Sequence, residues 1–176
     1  MKPSYLGQNF QETLAGIRGH LHAIGADVAV PVRASGVLRA ELRRSSRIAV
    51  FEGLPSQRRH DALLAESERV DVFQVSGFPF YQAELEADPT SPIVKTLANS
   101  ENLGEFSGEK RCGGFHPDYT ICWESPYGPF QALLCFGCHE VLFAGGGSHL
   151  RYDLAPWSVH CLKEELAKLL PKRANA

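Results

Sequence analysis

The residues best equipped for chemistry stand in "CFGCH", residues 135 to 139, where Cys135 and Cys138 have C-x-x-C spacing and His139 follows. Upstream, "CGGFHPD" places Cys112 and His116 four apart, with Asp118 two residues further on. Thiols and imidazoles at such intervals can hold a metal, carry a haem, form a redox pair or make a nucleophile.

The metal reading uses most of these residues. Cys112, His116, Cys135 and Cys138 make C-x3-H-x18-C-x2-C, three thiolates and an imidazole, which is a normal tetrahedral set for structural zinc. Gly137 between the last two thiols can allow the tight turn that brings both sulfurs inward. His139 is an alternative nitrogen ligand in place of His116.

The haem c reading takes thioethers from Cys135 and Cys138 and an axial bond from His139. The surrounding sequence counts against it. The string lies in a β-patterned stretch, where residues three apart face opposite ways. The only methionine is Met1, and the opening stretch "MKPSYLGQNFQETLAG" has no apolar leader segment, although covalent attachment needs an exported protein. A redox C-x-x-C wants its first cysteine at a helix N-terminus, which lowers the thiol pKa, and here a β-pattern follows. A thiol enzyme pairing Cys135 or Cys138 with His116, oriented by Asp118, rests on residue types alone.

The plainest account is packing, because free cysteine is among the most buried side chains. Were 130–143 one unbroken strand, Leu133, Cys135, Gly137, His139 and Val141 would share a face and Cys138 would take the other. His116 would then be a loop histidine bonded to backbone and Asp118 a turn residue. Whether Gly137 breaks the strand separates this account from the others.

The elements that must position these residues are legible from periodicity. Phe10, Leu14, Ile17, Leu21 and Ile24 make one helical stripe, with Asn9 and Glu12 as a capping box and Gly25 as the stop. His20 and His22 on that helix point in different directions. After "DVAVPV", the segment "GVLRAELRRSSR" gathers Arg39, Arg43, Arg44 and Arg47, which read as a solvated helix face. "RIAVFEG" reads as a strand ending at Gly53, "PSQRRHDALLAESE" as a helix capped by Ser56, and "RVDVFQVSG" as a half-buried strand.

"GFPFYQ" reads as a buried loop or groove rim, with Phe78, Phe80 and Tyr81 among the aromatics available to line it beside Trp123 and Trp157. Ser91 and Pro92 start a helix, and "ENLGEFSGEKRCGG" reads as a polar loop. Tyr119, Ile121 and Trp123 alternate on a strand, "SPYGP" turns, "FQALLCF" returns, and "AGGGSH" is a flexible turn without the signature of a phosphate loop. His149 and His160 are isolated. A closing helix from about Pro156 to Leu170 carries Leu162, Leu166 and Leu169. This order predicts an α+β fold, with a largely antiparallel sheet from a C-terminal meander and helices packed on it.

The chain has 176 residues, 44% hydrophobic and 22% charged, with a net charge of −2. One domain over 1–176 is expected, with the helix at 8–25 more loosely attached. The charge balance leaves no reason to expect nucleic acid as a partner. No apolar run reaches the ~18–20 residues of a membrane span. Five cysteines, an odd number, read as reduced thiols or a metal site in the cytoplasm. The cell envelope is the alternative if a leader has been removed.

"FEGLPSQ" (51–57), "GFPFY" (77–81), "FHPDYTICW" (115–123) and "LLCFGCHEV" (133–141) together resemble a group of uncharacterised bacterial proteins, some described as lipoproteins. In that group a YEGLP-like strand end precedes a GF-FY segment, a Cys-Phe-x-Cys strand and a C-terminal helix. The resemblance covers about residues 48 to 170 and implies the same fold order, no established activity and a cell-envelope location for some members. The residue after the second cysteine varies in the group, which implies that His139 is not an essential haem ligand. Residues 1–16 of this sequence carry neither an apolar leader pattern nor a lipobox cysteine of the kind seen in the group, which leaves the expected compartment open between the cytoplasm and the cell envelope. The functional expectation is a soluble, non-catalytic domain holding a structural zinc through Cys112, His116, Cys135 and Cys138, against haem electron transfer or a Cys–His thiol enzyme.

Overall fold

The computed structural model describes residues 33–54, 71–82, 85–108, 114–126, 128–145 and 148–169. The helices expected over 10–24 and 55–68, the extended piece at 27–32 and Cys112 lie outside these residues.

The alternation of Tyr119, Ile121 and Trp123 produces a strand, β6 (Tyr119–Ser125), which turns at Pro126 and pairs antiparallel with β7 (Gly128–Cys135). β7 is the most deeply covered strand, buried at every position after Gly128. It pairs on its other side with β8 (Glu140–Gly145), which pairs with β9 (Ser148–Leu154). Beyond β6 lie β1 (Ile48–Glu52) and the three-residue β4 (Leu85–Ala87), and beyond β9 the three-residue β5 (Leu103–Glu105). The result is a seven-stranded antiparallel sheet in the order β4-β1-β6-β7-β8-β9-β5. The last register pair of the β8–β9 hairpin is Gly145 with Ser148.

Pleating sends alternate residues to opposite faces, and each face has its own core. Ile48, Val50, Ile121, Trp123, Ala132, Leu134, Val141 and Phe143 share one cluster with the buried residues of α1 (Arg33–Arg44), α2 (Pro92–Ala98) and α3 (Pro156–Leu169). In α3 the buried stripe is Ser158, Val159, Leu162 and Leu166. Pro92 opens α2 where a missing N–H costs nothing.

The opposite face carries a smaller, aromatic cluster: Leu133 with Val75 and Phe80, flanked by Phe51, Phe73, Phe78, Phe115 and Leu142. Its cover is the hairpin of β2 (Val72–Val75) and β3 (Phe78–Tyr81). The segment expected to be a loop at 77–82 is thus mostly strand. The reason is local: Ser76 at φ 50° and Gly77 at φ 83° form the two-residue positive-φ turn whose twist suits a hairpin. The fold is α+β, with helices on one face of a largely antiparallel sheet and a hairpin on the other. No described helix is long and apolar enough to cross a membrane.

Candidate thiol and disulfide site

The strand is broken at the cysteine motif. β7 ends at Cys135 and β8 begins at Glu140, and Cys135 pairs directly with Glu140, so residues 136–139 are a four-residue hairpin turn. The unbroken strand over 130–143 is therefore corrected. The left-handed residue of the turn is His139, at φ 54°, not Gly137. A β-carbon at Gly137 would meet nothing within 4 Å.

The "HPD" segment holds this turn in place. Asp118 Oδ2 accepts the Phe136 N–H at 2.6 Å, while the Asp118 N–H donates to the Leu134 carbonyl at 2.7 Å. The Gly53 N–H donates to the Asp118 carbonyl at 2.7 Å. Glycine is required there, since a β-carbon on Gly53 would lie 2.2 Å from the Pro117 carbonyl oxygen. His116 Nε2 lies 3.0 Å from the Leu54 carbonyl, which can only accept, so the ring proton sits on Nε2. On the helix side, buried Phe136 packs by Tyr119 at 5.9 Å, with Lys163 Nζ 5.4 Å over its ring. The His139 carbonyl accepts the Leu154 N–H at 2.7 Å, and His139 itself is exposed.

The two cysteines of the motif differ in state. Cys135 is a free, buried thiol, whereas Cys138 is disulfide-bonded. The other free thiols are Cys122 and Cys161, and the remaining cysteine of the sequence is Cys112. The Cys138 sulfur lies 3.5 Å from the Gly114 carbonyl oxygen, and with no proton on a disulfide sulfur this is a packing contact. Burial pushes the Cys135 thiol above its ordinary pKa; the backbone N–H groups of His116 and Cys138, both directed at its sulfur, pull it down; the charges of Asp118 and Glu140 push it up again.

Beside Cys135 on the same face stands Glu140, fully buried, with Oε2 paired to Arg151 Nε at 3.0 Å and Nη2 at 2.5 Å. Its Oε1 is sealed from solvent and has no hydrogen-bond partner. The Arg151 guanidinium lies over the rings of both Phe106 and Phe115, at 4.5 and 5.1 Å. None of these four residues was a candidate from sequence. The one signal was Glu140 itself, a charge set directly between the motif and the apolar "VLF" run.

Of the four ligands expected for zinc, Cys135, Cys138 and the backbone of His116 are brought together. The His116 ring is directed to Leu54, and Cys112 lies outside the described residues. Among the described residues no group of three or more His, Cys, Asp or Glu could hold a metal ion. A disulfide sulfur is neither a thiolate ligand nor free to form a haem thioether, so both cofactor readings require Cys138 reduced. His149 is exposed, and His160 pairs with Glu164 on the surface of α3 at 3.2 Å. Compared with known protein families, with characterised proteins and with solved structures, the chain matches none.

Proposed function

We propose that this corner is a redox-responsive sulfur site on a non-catalytic domain. Cys138 forms its disulfide with Cys112, and Cys135 is the third thiol, placed to exchange with that bond. The observation that carries the reading is the contrast within one turn: a disulfide-bonded Cys138 and, three residues before it, a free Cys135 whose sulfur accepts the Cys138 N–H. In the exchange, the Cys135 thiolate attacks one disulfide sulfur and forms a new S–S bond. The displaced sulfur leaves as a thiolate and takes up the proton that Cys135 gave up. No oxidant or reductant is consumed.

The buried, acid-flanked Cys135 is a slow nucleophile, which suits a switch or staple better than a turnover enzyme. A disulfide that persists belongs in an oxidising compartment. The cell-envelope location implied by the lipoprotein resemblance accords with it better than a cytoplasmic one.

A zinc–thiolate form of the same residues is the second reading. It is favoured by one observation, the His116 ring anchored through Nε2 to the Leu54 carbonyl. Imidazole ligands are oriented in that way, leaving Nδ1 for a metal.

Peptide mapping of unreduced protein, with free thiols alkylated after denaturation, tests the proposal. The expected result is a linked Cys112–Cys138 peptide with Cys122, Cys135 and Cys161 alkylated, plus a minor species with Cys135 in the linkage. Five alkylated cysteines would overturn it. One zinc per chain in reduced protein, lost on Cys135→Ser, would transfer the site to the second reading.

A further inference from the structure

We infer that the arginine face of α1 is a docking surface for an anionic phospholipid bilayer. The inference stands apart from the sulfur site and shares no residue with it.

Residues 39–47 set Arg39, Arg43, Arg44 and Arg47 against one acid, Glu41, and contain no lysine. That is a net charge of +3 within a chain whose net charge is −2, so the other residues together carry −5. Folding sharpens the contrast. Glu41 is buried, while Arg44, which pairs with it at 3.1 Å, keeps 75% of its side chain exposed. Arg43 and Arg47 are exposed as well. The positive charge therefore lies on the outside of α1 and the negative charge beneath it.

The rest of this face is short or apolar. Gly36, Val37, Ala40, Arg43 and Arg44 follow one another at helical spacings of three and four. Val37 is 47% exposed, one of three large apolar side chains left in solvent among the described residues. A β-carbon at Gly36 would meet nothing within 4 Å. On the opposite side, Leu38 and Leu42 are committed to the helix-side core, so α1 can lie on a membrane but cannot turn its leucines into one. Capping accounts for part of the arrangement: Arg43 Nη2 donates to the Ala98 carbonyl at 2.5 Å at the end of α2, and basic residues suit the last turn of α1. It does not account for Arg47, which lies past the helix, or for the exposed Val37.

A bilayer fits these features better than other anions do. It touches a domain on one side only, so the net negative charge of the other residues need not approach it. A nucleic acid longer than the helix would run toward that charge, and no aromatic stands among these positions to stack a base. A small anion would find no enclosure around an arginine three-quarters in solvent. Guanidinium groups bond phosphate oxygens in pairs, and Val37 between them can enter the headgroup layer. Attraction of this kind is electrostatic and falls with added salt.

The test is co-sedimentation of the full chain with vesicles of phosphatidylcholine alone and of phosphatidylcholine with an equal part of phosphatidylglycerol, at low and high salt. The unaltered chain is expected to sediment only with the phosphatidylglycerol vesicles and to be released by high salt. Arg44→Gln and Arg47→Gln, both at exposed positions, should each lower the partition coefficient by about fivefold, and Arg44→Lys, which keeps the charge, should stay within about twofold of the unaltered chain. Circular dichroism confirms that each variant is folded. Failure to sediment with phosphatidylglycerol vesicles at low salt would overturn the inference. So would unchanged partitioning in both glutamine variants, or a loss in Arg44→Lys equal to that in Arg44→Gln. Binding to a DNA duplex with the same dependence on Arg44 and Arg47, and none to vesicles, would assign the face to nucleic acid and likewise overturn it.

Discussion

The two faces of the sheet solve different problems. The helix-side face buries Leu, Ile, Val and aromatic side chains from α1, α2 and α3 in one continuous cluster, with stabilisation spread over many interchangeable contacts. The opposite face has a small aromatic core and, at one end, a thiol, a disulfide sulfur, two carboxylates and an arginine held by named hydrogen bonds. Contacts on the first face are redundant. On the second each polar group depends on a particular partner, because a buried polar group left alone costs more than its bond contributes.

Substitutions can break this comparison, beginning with the largest effect. Leu162→Ala, at a fully buried position of α3, should cost about 3–5 kcal/mol in urea unfolding. The loss should be the same with and without reductant. Cys138→Ser should cost about 2–4 kcal/mol in oxidised protein and little once both proteins are reduced. A gap of the same size in oxidised and reduced protein would mean the disulfide contributes no stability. Asp118→Asn weakens the charged acceptor of the Phe136 N–H and should cost about 1–2 kcal/mol. It should also speed alkylation of Cys135, since it loosens the turn and removes a charge that raises the thiol. Slower alkylation would sink this account of the turn.

A smaller effect is kinetic. With burial holding its pKa up, native Cys135 should react with iodoacetamide more slowly than the half-buried Cys161, and should need a more alkaline pH to reach the same rate. Peptide-resolved labelling would measure both. Smallest is Arg44→Ala, which removes a 3.1 Å pair with Glu41 from an arginine that is 75% exposed. It should change stability by no more than about 0.5 kcal/mol.

How much was legible follows the same division. The helix starting at Pro92, the stripe of Leu162 and Leu166, and the alternation of Tyr119, Ile121 and Trp123 were readable because an apolar core on one side imposes period. β3 was not, since proline and consecutive aromatics hide the pattern, and the Ser76–Gly77 turn lacks the usual asparagine–glycine signature. β4 and β5 were missed because each has only three residues, too few to alternate. At the site, the cysteines and His116 drew attention by type and spacing. Glu140, Arg151, Phe106 and Phe115 did not, because their roles come from strands that register only after the sheet forms.

By itself the sequence determined the α+β class, the helix-side core and the place where cysteines gather beside His116, since composition and local period suffice for these. The tertiary structure decided what the motif is. Whether two cysteines three apart face apart or together depends on where the chain reverses. The four-residue turn at 136–139 takes its left-handed residue at His139 and is held by Asp118 across from β6. Likewise, Gly53 reads as a strand end from sequence, while the need for glycine comes from the Pro117 carbonyl that packs against it. Those are long-range contacts, and no local pattern of residues encodes which distant backbone atom will fill a given space.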